Sequence, residues 1–130
     1  MTRQECNLNI RYDLPDELLD KLPLIYEYMT GWLGLGDKEN GQEGIPYWFS
    51  YNENEKFVLA SLEPSGLMFI GKMDAEEWKE WIFEFKQKAT QILGFNVGEI
   101  ETGEVSHTIE WLSSSKTNLT PKKKKWWMFK

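Results

Sequence analysis

The sequence predicts an α+β fold: a mainly antiparallel sheet of five to six strands with two helices on one face, in the order β-α-β-β-β-α-β-β. Three observations carry this. Residues 5–12 alternate apolar and polar with a period of two, and residues 45–73 hold three strand-like runs separated by short turn-forming linkers. Residues 75–93 repeat apolar side chains at helical spacing between well-marked ends. A chain of 130 residues fits one domain, large enough to bury a core without disulfides or metals.

In the first strand, expected over 5–12, Cys6, Leu8, Ile10 and Tyr12 alternate with Asn7, Asn9 and Arg11. Asp13 is suited to cap a helix opening Leu14-Pro15-Asp16-Glu17, where proline fits the first turn and the carboxylates favour the positive end of the helix dipole. Pro23 kinks or restarts this helix, which ends near Thr30-Gly31 and buries Leu18, Leu22, Ile25 and Met29. Residues 31–44, glycine-rich and carrying Asp37, Glu39 and Glu43, read as a mobile acidic loop. A calcium loop of the EF-hand type needs glycine at its sixth position, and counting from Asp37 that position is Gln42. The loop is therefore read as solvated, with no metal site.

Ile45–Tyr51, Lys56–Leu62 and Leu67–Met73 form a three-stranded antiparallel meander, joined by Asn52-Glu53-Asn54-Glu55 and Glu63-Pro64-Ser65-Gly66. These runs are apolar on nearly both faces, so both faces of the sheet are expected to be covered at least in part. Helix 75–93 opens on an acidic variant of the capping box, Asp74 with Glu77, and stops at Gly94. Its stripe is Trp78, Trp81, Ile82, Phe85, Ala89 and Ile92, read as core, with Phe83 off the stripe and exposed. Phe95–Glu101 and Val105–Leu112 are two further candidate strands around a turn at Thr102-Gly103-Glu104. Residues 1–115 then make the domain, Ser113–Thr120 has linker composition, and 116–130 is a basic, aromatic C-terminal tail.

Charge divides the chain. The net −6 combines 21 acids and nine basic residues within 1–115, a balance of −12, with six lysines and no acid in 116–130. The body repels nucleic acid and the tail does not. The N-terminus has no apolar signal region and no apolar run approaches the ~18 residues of a membrane span, so a cytoplasmic protein is expected.

Chemistry-bearing motifs are scarce. Cys6 and His107 are each the only residue of their type, too few for an internal disulfide or a structural zinc site. Cys6 lies in a strand that buries it, and His107 is a rim or core histidine. Asn118-Leu119-Thr120 matches a glycosylation acceptor, but the following Pro121 and the lack of a secretory signal give it no weight. No Gly-x-Ser-x-Gly elbow, dinucleotide fingerprint or Walker A loop is present, and the glycines of 31–36 have the wrong spacing for phosphate binding. Carboxylate-pair hydrolysis stays open in principle, since Glu63, Glu99 and Glu101 could meet in space, yet with 21 acids that discriminates nothing. A non-enzymatic protein without a cofactor is expected.

The tail is the other unusual segment. Lys122, Lys123, Lys124 and Lys125 precede Trp126, Trp127, Met128 and Phe129, a composition that suits an anionic membrane or a nucleic-acid strand. The preferred reading is that Trp126–Phe129 packs back on the domain and shields the second sheet face, with the lysines meeting acidic side chains.

The run Met73-Asp74-Ala75-Glu76-Glu77-Trp78-Lys79-Glu80-Trp81, followed by Ala89-Thr90-Gln91-Ile92-Leu93-Gly94-Phe95-Asn96-Val97-Gly98-Glu99, resembles immunity proteins of bacterial polymorphic toxin systems. The resemblance covers mainly 45–105. It implies a cytoplasmic inhibitor that binds a cognate protein toxin, often a basic nuclease, by presenting acidic groups to it; the lysine tail departs from that pattern. The acidic body can steer a basic partner, and aromatics among acids can anchor it. The expected partner-binding residues are Asp37, Glu39 and Glu43 with Trp48, and a second patch of Glu99, Glu101 and Glu104. The alternative function is a module that touches anionic membrane or nucleic acid through the tail.

Overall fold

A computed structural model describes residues 1–39 and 41–112. Its elements are β1 (Thr2–Leu8), α1 (Asp16–Leu19), α2 (Leu22–Tyr28), β2 (Trp32–Leu35), β3 (Pro46–Trp48), β4 (Phe57–Glu63), β5 (Gly66–Met73) and α3 (Ala75–Leu93). The strands form one five-stranded sheet in the order β1-β5-β4-β3-β2, with every neighbouring pair antiparallel. The α+β class is as the sequence predicts. The element order is β-α-α-β-β-β-β-α, and residues 95–112 wind on without a strand.

Pairing, more than local pattern, sets where the strands begin and end. β1 runs along β5 from Thr2 opposite Met73 to Leu8 opposite Leu67. It therefore starts earlier than the alternation suggests and stops where β5 runs out, although Ile10 beyond it is still fully buried. The expected strand 45–51 is reduced to Pro46–Trp48, because Phe49 adopts a left-handed backbone with φ 73°. There Phe49 donates its N–H to the carbonyl of Gly31 at 2.8 Å, and its ring lies so close that a Cβ on Gly31 would meet it at 2.6 Å. Glycine at 31 is thus what lets the two segments touch.

The expected loop 31–44 holds a strand. Trp32 pairs with Trp48, Gly34 with Tyr47 and Leu35 with Pro46, with a register shift between Trp32 and Gly34 that Gly34 accommodates at φ 132°. The two strands expected at 95–101 and 105–112 are replaced by single bridges, Leu8 with Glu99 and Phe95 with Trp111. Asn96 instead donates to the Glu110 carbonyl (3.1 Å) and Leu112 to that of Gly94 (2.9 Å), so this segment folds back on itself.

Neither expected cap forms its side-chain bond. Pro15 occupies the N-cap of α1, while Asp13 pairs with Arg11 at 3.6 Å. Asp74 caps α3 without a side-chain bond, and Glu77 pairs with Lys56. The first helical stretch restarts after Lys21, with proline in the first turn of α2. At its C-terminus α3 ends on Gly94 in the left-handed conformation, whose N–H reaches the Thr90 carbonyl at 3.0 Å.

The core lies between the helices and one face of the sheet. Trp48, Val58, Ala60, Leu67, Phe69 and Met73 meet Ile25 and Tyr26 of α2 and Trp78, Trp81, Ile82, Phe85 and Ala89 of α3. Trp48 and Trp81 rings stand 5.0 Å apart edge to face, as do Phe69 and Phe85 at 4.6 Å. Each indole N–H finds a carbonyl, that of Trp48 on Tyr26 and that of Trp81 on Thr30. Gly71 makes room for α3, since a Cβ there would meet the Trp78 ring at 2.5 Å. On the opposite face Tyr47 and Phe57 are buried, Tyr47 packing on Tyr51 and bonding Glu53, while Leu59, Met68 and Ile70 are half-buried. The expected tail, 116–130, lies outside the described residues, as does the linker from Ser113.

Candidate functional site

An apolar groove of about 550 Å³ opens between α1–α2 and the ends of β2, β3 and β4. Local structure explains it. β2 and β3 diverge after the Leu35–Pro46 pair into a tight turn in which Gly36 donates to Ile45 at 2.8 Å and Gln42 to Asp37 at 2.9 Å. The short α2 packs against α3 and β2, and its residues Leu22, Pro23, Tyr26 and Glu27 face Pro46 and residues 60–62 across the groove. Leu22, Pro23, Trp32, Leu35 and Leu62 line the floor and walls, with Leu35 59% and Leu62 40% exposed. Leu24 and Tyr28 continue the apolar surface along the outer side of α2.

Two carboxylates stand on the rim, Glu27 from α2 and Glu43 from the β2–β3 turn. Neither has an ion-pair partner among the described residues. The stretch 13–44 holds eight acids against two lysines, a net −6, and two of these acids, Glu27 and Glu43, line the opening. An apolar floor with an anionic rim suits an apolar or aromatic side chain flanked by lysine or arginine.

Of the expected partner-binding residues, Asp37, Glu39 and Glu43 are exposed on the β2–β3 turn, and Glu43 reaches the groove. Trp48 does not belong with them. Its side chain is fully buried at the centre of the aromatic core, in ring contact with Tyr26, Trp32, Phe69 and Trp81. The strand that carries it alternates inward at 48, and both helices close over it.

The second acidic patch is divided. Glu99 and Glu104 both hold Lys86, at 3.3 and 2.9 Å, leaving the lysine side chain only 16% exposed. Burial works to lower the Lys86 ammonium and to raise the Glu104 carboxyl, but their mutual hydrogen bond and charge outweigh it: Lys86 lies above its ordinary value and Glu104 below. Glu104 also accepts the Glu99 N–H at 2.9 Å, which shapes the 99–104 turn. Glu101 is exposed and has no such tie among the described residues. Beneath the cluster, burial pushes the Cys6 thiol up from 9.0 to about 12, with the Glu99 carboxylate adding to the shift. At neutral pH it is a protonated, enclosed thiol, unsuited to nucleophilic attack.

His107 is exposed, and no group of three or more His, Cys, Asp or Glu is placed to hold a metal ion among the described residues. No helix there is long and apolar enough to cross a membrane. The tail residues Lys122, Lys123, Lys124, Lys125, Trp126 and Trp127 lie outside the described residues. The groove residues Glu27, Leu35 and Leu62 escape a reading of the sequence, since Leu35 sits in what looks like a glycine-rich loop and Leu62 reads as a strand residue like its neighbours. Only Glu27, polar among Leu24, Ile25, Tyr26 and Tyr28, signals an outward face. Comparison with protein-family models, with curated proteins and with solved structures returns no match.

Proposed function

We propose that this chain is a non-enzymatic, protein-binding inhibitor of the immunity-protein type, which engages a basic toxin through the groove between α2 and the β2–β3 turn. The observation that carries the reading is the pairing of an open apolar floor, Leu35 and Leu62, with the rim carboxylates Glu27 and Glu43, which have no ion-pair partner among the described residues. A hydrophobic anchor from the partner supplies affinity there, while Glu27, Glu43 and the net negative charge of the body speed encounter and select a cationic surface. Asp37 and Glu39 extend the negative rim along the turn, and Glu101 adds charge at a distance from it. Lys86 neutralises much of the Glu99–Glu104 patch, which argues for a structural part for those two acids.

The test uses the product of a toxin-like gene beside the gene for this chain. Co-purification of the two proteins, with affinity lowered at least tenfold by Leu35→Asp and by combined Glu27→Lys and Glu43→Lys, supports the reading. Unchanged affinity in all these variants removes the groove as the interface. Unchanged toxin activity in the presence of the bound chain removes inhibition as its function.

A further inference from the structure

We infer that the partner enters this groove as an extended segment, which adds a sixth strand along β2 and carries an apolar side chain flanked by lysine or arginine. This rests on the protein-binding reading of the groove and gives its ligand a shape and a sequence pattern.

The backbone of β2 is set up for such pairing. β2 is the terminal strand of the sheet and pairs with β3 alone among the described residues. Gly36, the next residue, donates its N–H to the Ile45 carbonyl at 2.8 Å and accepts the Gly44 N–H at 3.3 Å, so both of its backbone groups point inward. Successive residues of a strand turn these groups to opposite sides, which directs those of Leu35 to the outer edge. Pro46, opposite Leu35, has no N–H to offer in any case. The side chains agree, Leu33 being 43% and Leu35 59% exposed.

The other edge shows how this chain guards a strand. β1 carries an exposed Arg3–Glu5 ion pair at 3.1 Å, and its end is closed by the bridge from Leu8 to Glu99 and the bond from Asn9 to Gly98. Charges and covering segments of this kind keep foreign strands away. Trp32–Leu35 holds neither a charge nor a proline, and the groove opens directly beside it.

Groove geometry and charge then select the occupant. A strand added at the usual spacing of about 4.8 Å puts one residue opposite Leu35, and its side chain projects with that of Leu35 towards Leu22, Pro23 and Trp32. Side chains two residues away lie on the same face, about 7 Å along the strand, where a lysine or arginine meets the rim of Glu27 and Glu43. A second copy of this chain fits poorly. Residues 1–112 hold all 21 acids against nine basic residues, and pairing two β2 edges sets the same acidic rims side by side.

Amide exchange followed by NMR in the full chain tests this, with a capped peptide as probe that has tryptophan at its centre, lysine two positions to either side and threonine elsewhere. With millimolar peptide the Leu35 amide is expected to exchange about tenfold more slowly or better, while Gly36, already bonded to Ile45, is unchanged. N-methylation of the peptide at tryptophan and both lysines, which removes the donors facing β2, should abolish this protection. N-methylation at the intervening threonines, which face away, should preserve it. Equal behaviour of the two methylated peptides, or no slowing at Leu35, overturns the inference. Exchange at Leu35 as slow as at Gly36 in the free chain also overturns it, because the edge is then covered by the chain itself or by a second copy. Protection by the peptide without any toxin partner leaves the strand pairing standing and removes the proposed function. A toxin whose affinity is lowered by Leu35→Asp, yet which leaves the Leu35 amide of the wild-type chain exchanging freely, retains the function and overturns the inference.

Discussion

The two edges of the sheet are finished in opposite ways. At the β1 edge, residues 96–99 close the end of the strand: Asn9 exchanges backbone and side-chain bonds with Gly98 and Asn96, all at 3.0 Å, and Lys86 ties the 99–104 turn to α3. Most charges and polar groups there are satisfied within the chain, the buried Asn7 Oδ1 being the exception among the described residues. At the β2 edge, Leu33 and Leu35 are exposed, the groove is open, and Glu27 and Glu43 have no ion-pair partner among the described residues. One edge is built for stability and the other retains apolar surface that an isolated fold does not need. Substitutions at the first should cost folding free energy and little recognition, and those at the second the reverse.

The largest effect on folding should come from neither edge but from Trp48, which joins them. Trp48→Ala opens a cavity among Tyr26, Trp32, Phe69 and Trp81 and removes the bond to the Tyr26 carbonyl. A loss of about 3–5 kcal/mol in denaturant unfolding is expected, a large share of a typical domain's stability. Retention of nearly full stability would mean the core does not centre there. At the closed edge Asn9, the one buried polar residue among the described residues, comes next. Asn9→Ala leaves the Gly98 N–H without its side-chain acceptor and should cost about 1–3 kcal/mol by the same measurement.

The same contrast explains what the sequence discloses. α3 is found over the expected 75–93, and the two long strands of the meander match within a residue, because each carries its own periodicity and its own stop signals. Elements defined by a partner are harder to see. β2 is a four-residue, glycine-containing strand that exists because Trp48 and Pro46 lie opposite it. Residues 95–112 alternate like strands, yet their hydrogen bonds go to Asn9, Lys86, Thr90, Gly94 and one another. For the site, Asp37, Glu39 and Glu43 are legible as exposed acids, but Trp48 shows that tryptophan beside an acidic loop can be core. The groove itself depends on where α2 ends above the strands, which no local pattern encodes.

Alkaline pH sharpens the closed edge further. With the Cys6 thiol raised in the fold from 9.0 to about 12, its contribution is fully present below pH 9 and is lost as pH rises towards 12, because only the unfolded chain ionises it in that window. Wild-type stability should fall faster than that of Cys6→Ala across this range, by up to about 1.4 kcal/mol per pH unit. Parallel curves for the two proteins would place the thiol in contact with water.

The smallest effect on folding is expected in the groove, and there it is the most informative. Leu35 is 59% exposed in an edge strand, so replacing it by aspartate removes little buried surface and leaves the Pro46 backbone pairing in place. The change in stability should stay within about 0.5 kcal/mol, the range for surface substitutions. Recognition should respond differently, because a charge on the apolar floor must be desolvated whenever a hydrophobic side chain enters. Aspartate also adds to Glu27 and Glu43, so the loss of affinity cannot be ascribed to weaker electrostatic attraction for a cationic partner. Unfolding midpoints and binding of the toxin partner, measured on the same Leu35→Asp preparation, separate the two quantities. A stable variant with lost binding assigns the open edge to recognition; a destabilised one would show that the β2 edge belongs to the core like its counterpart across the sheet.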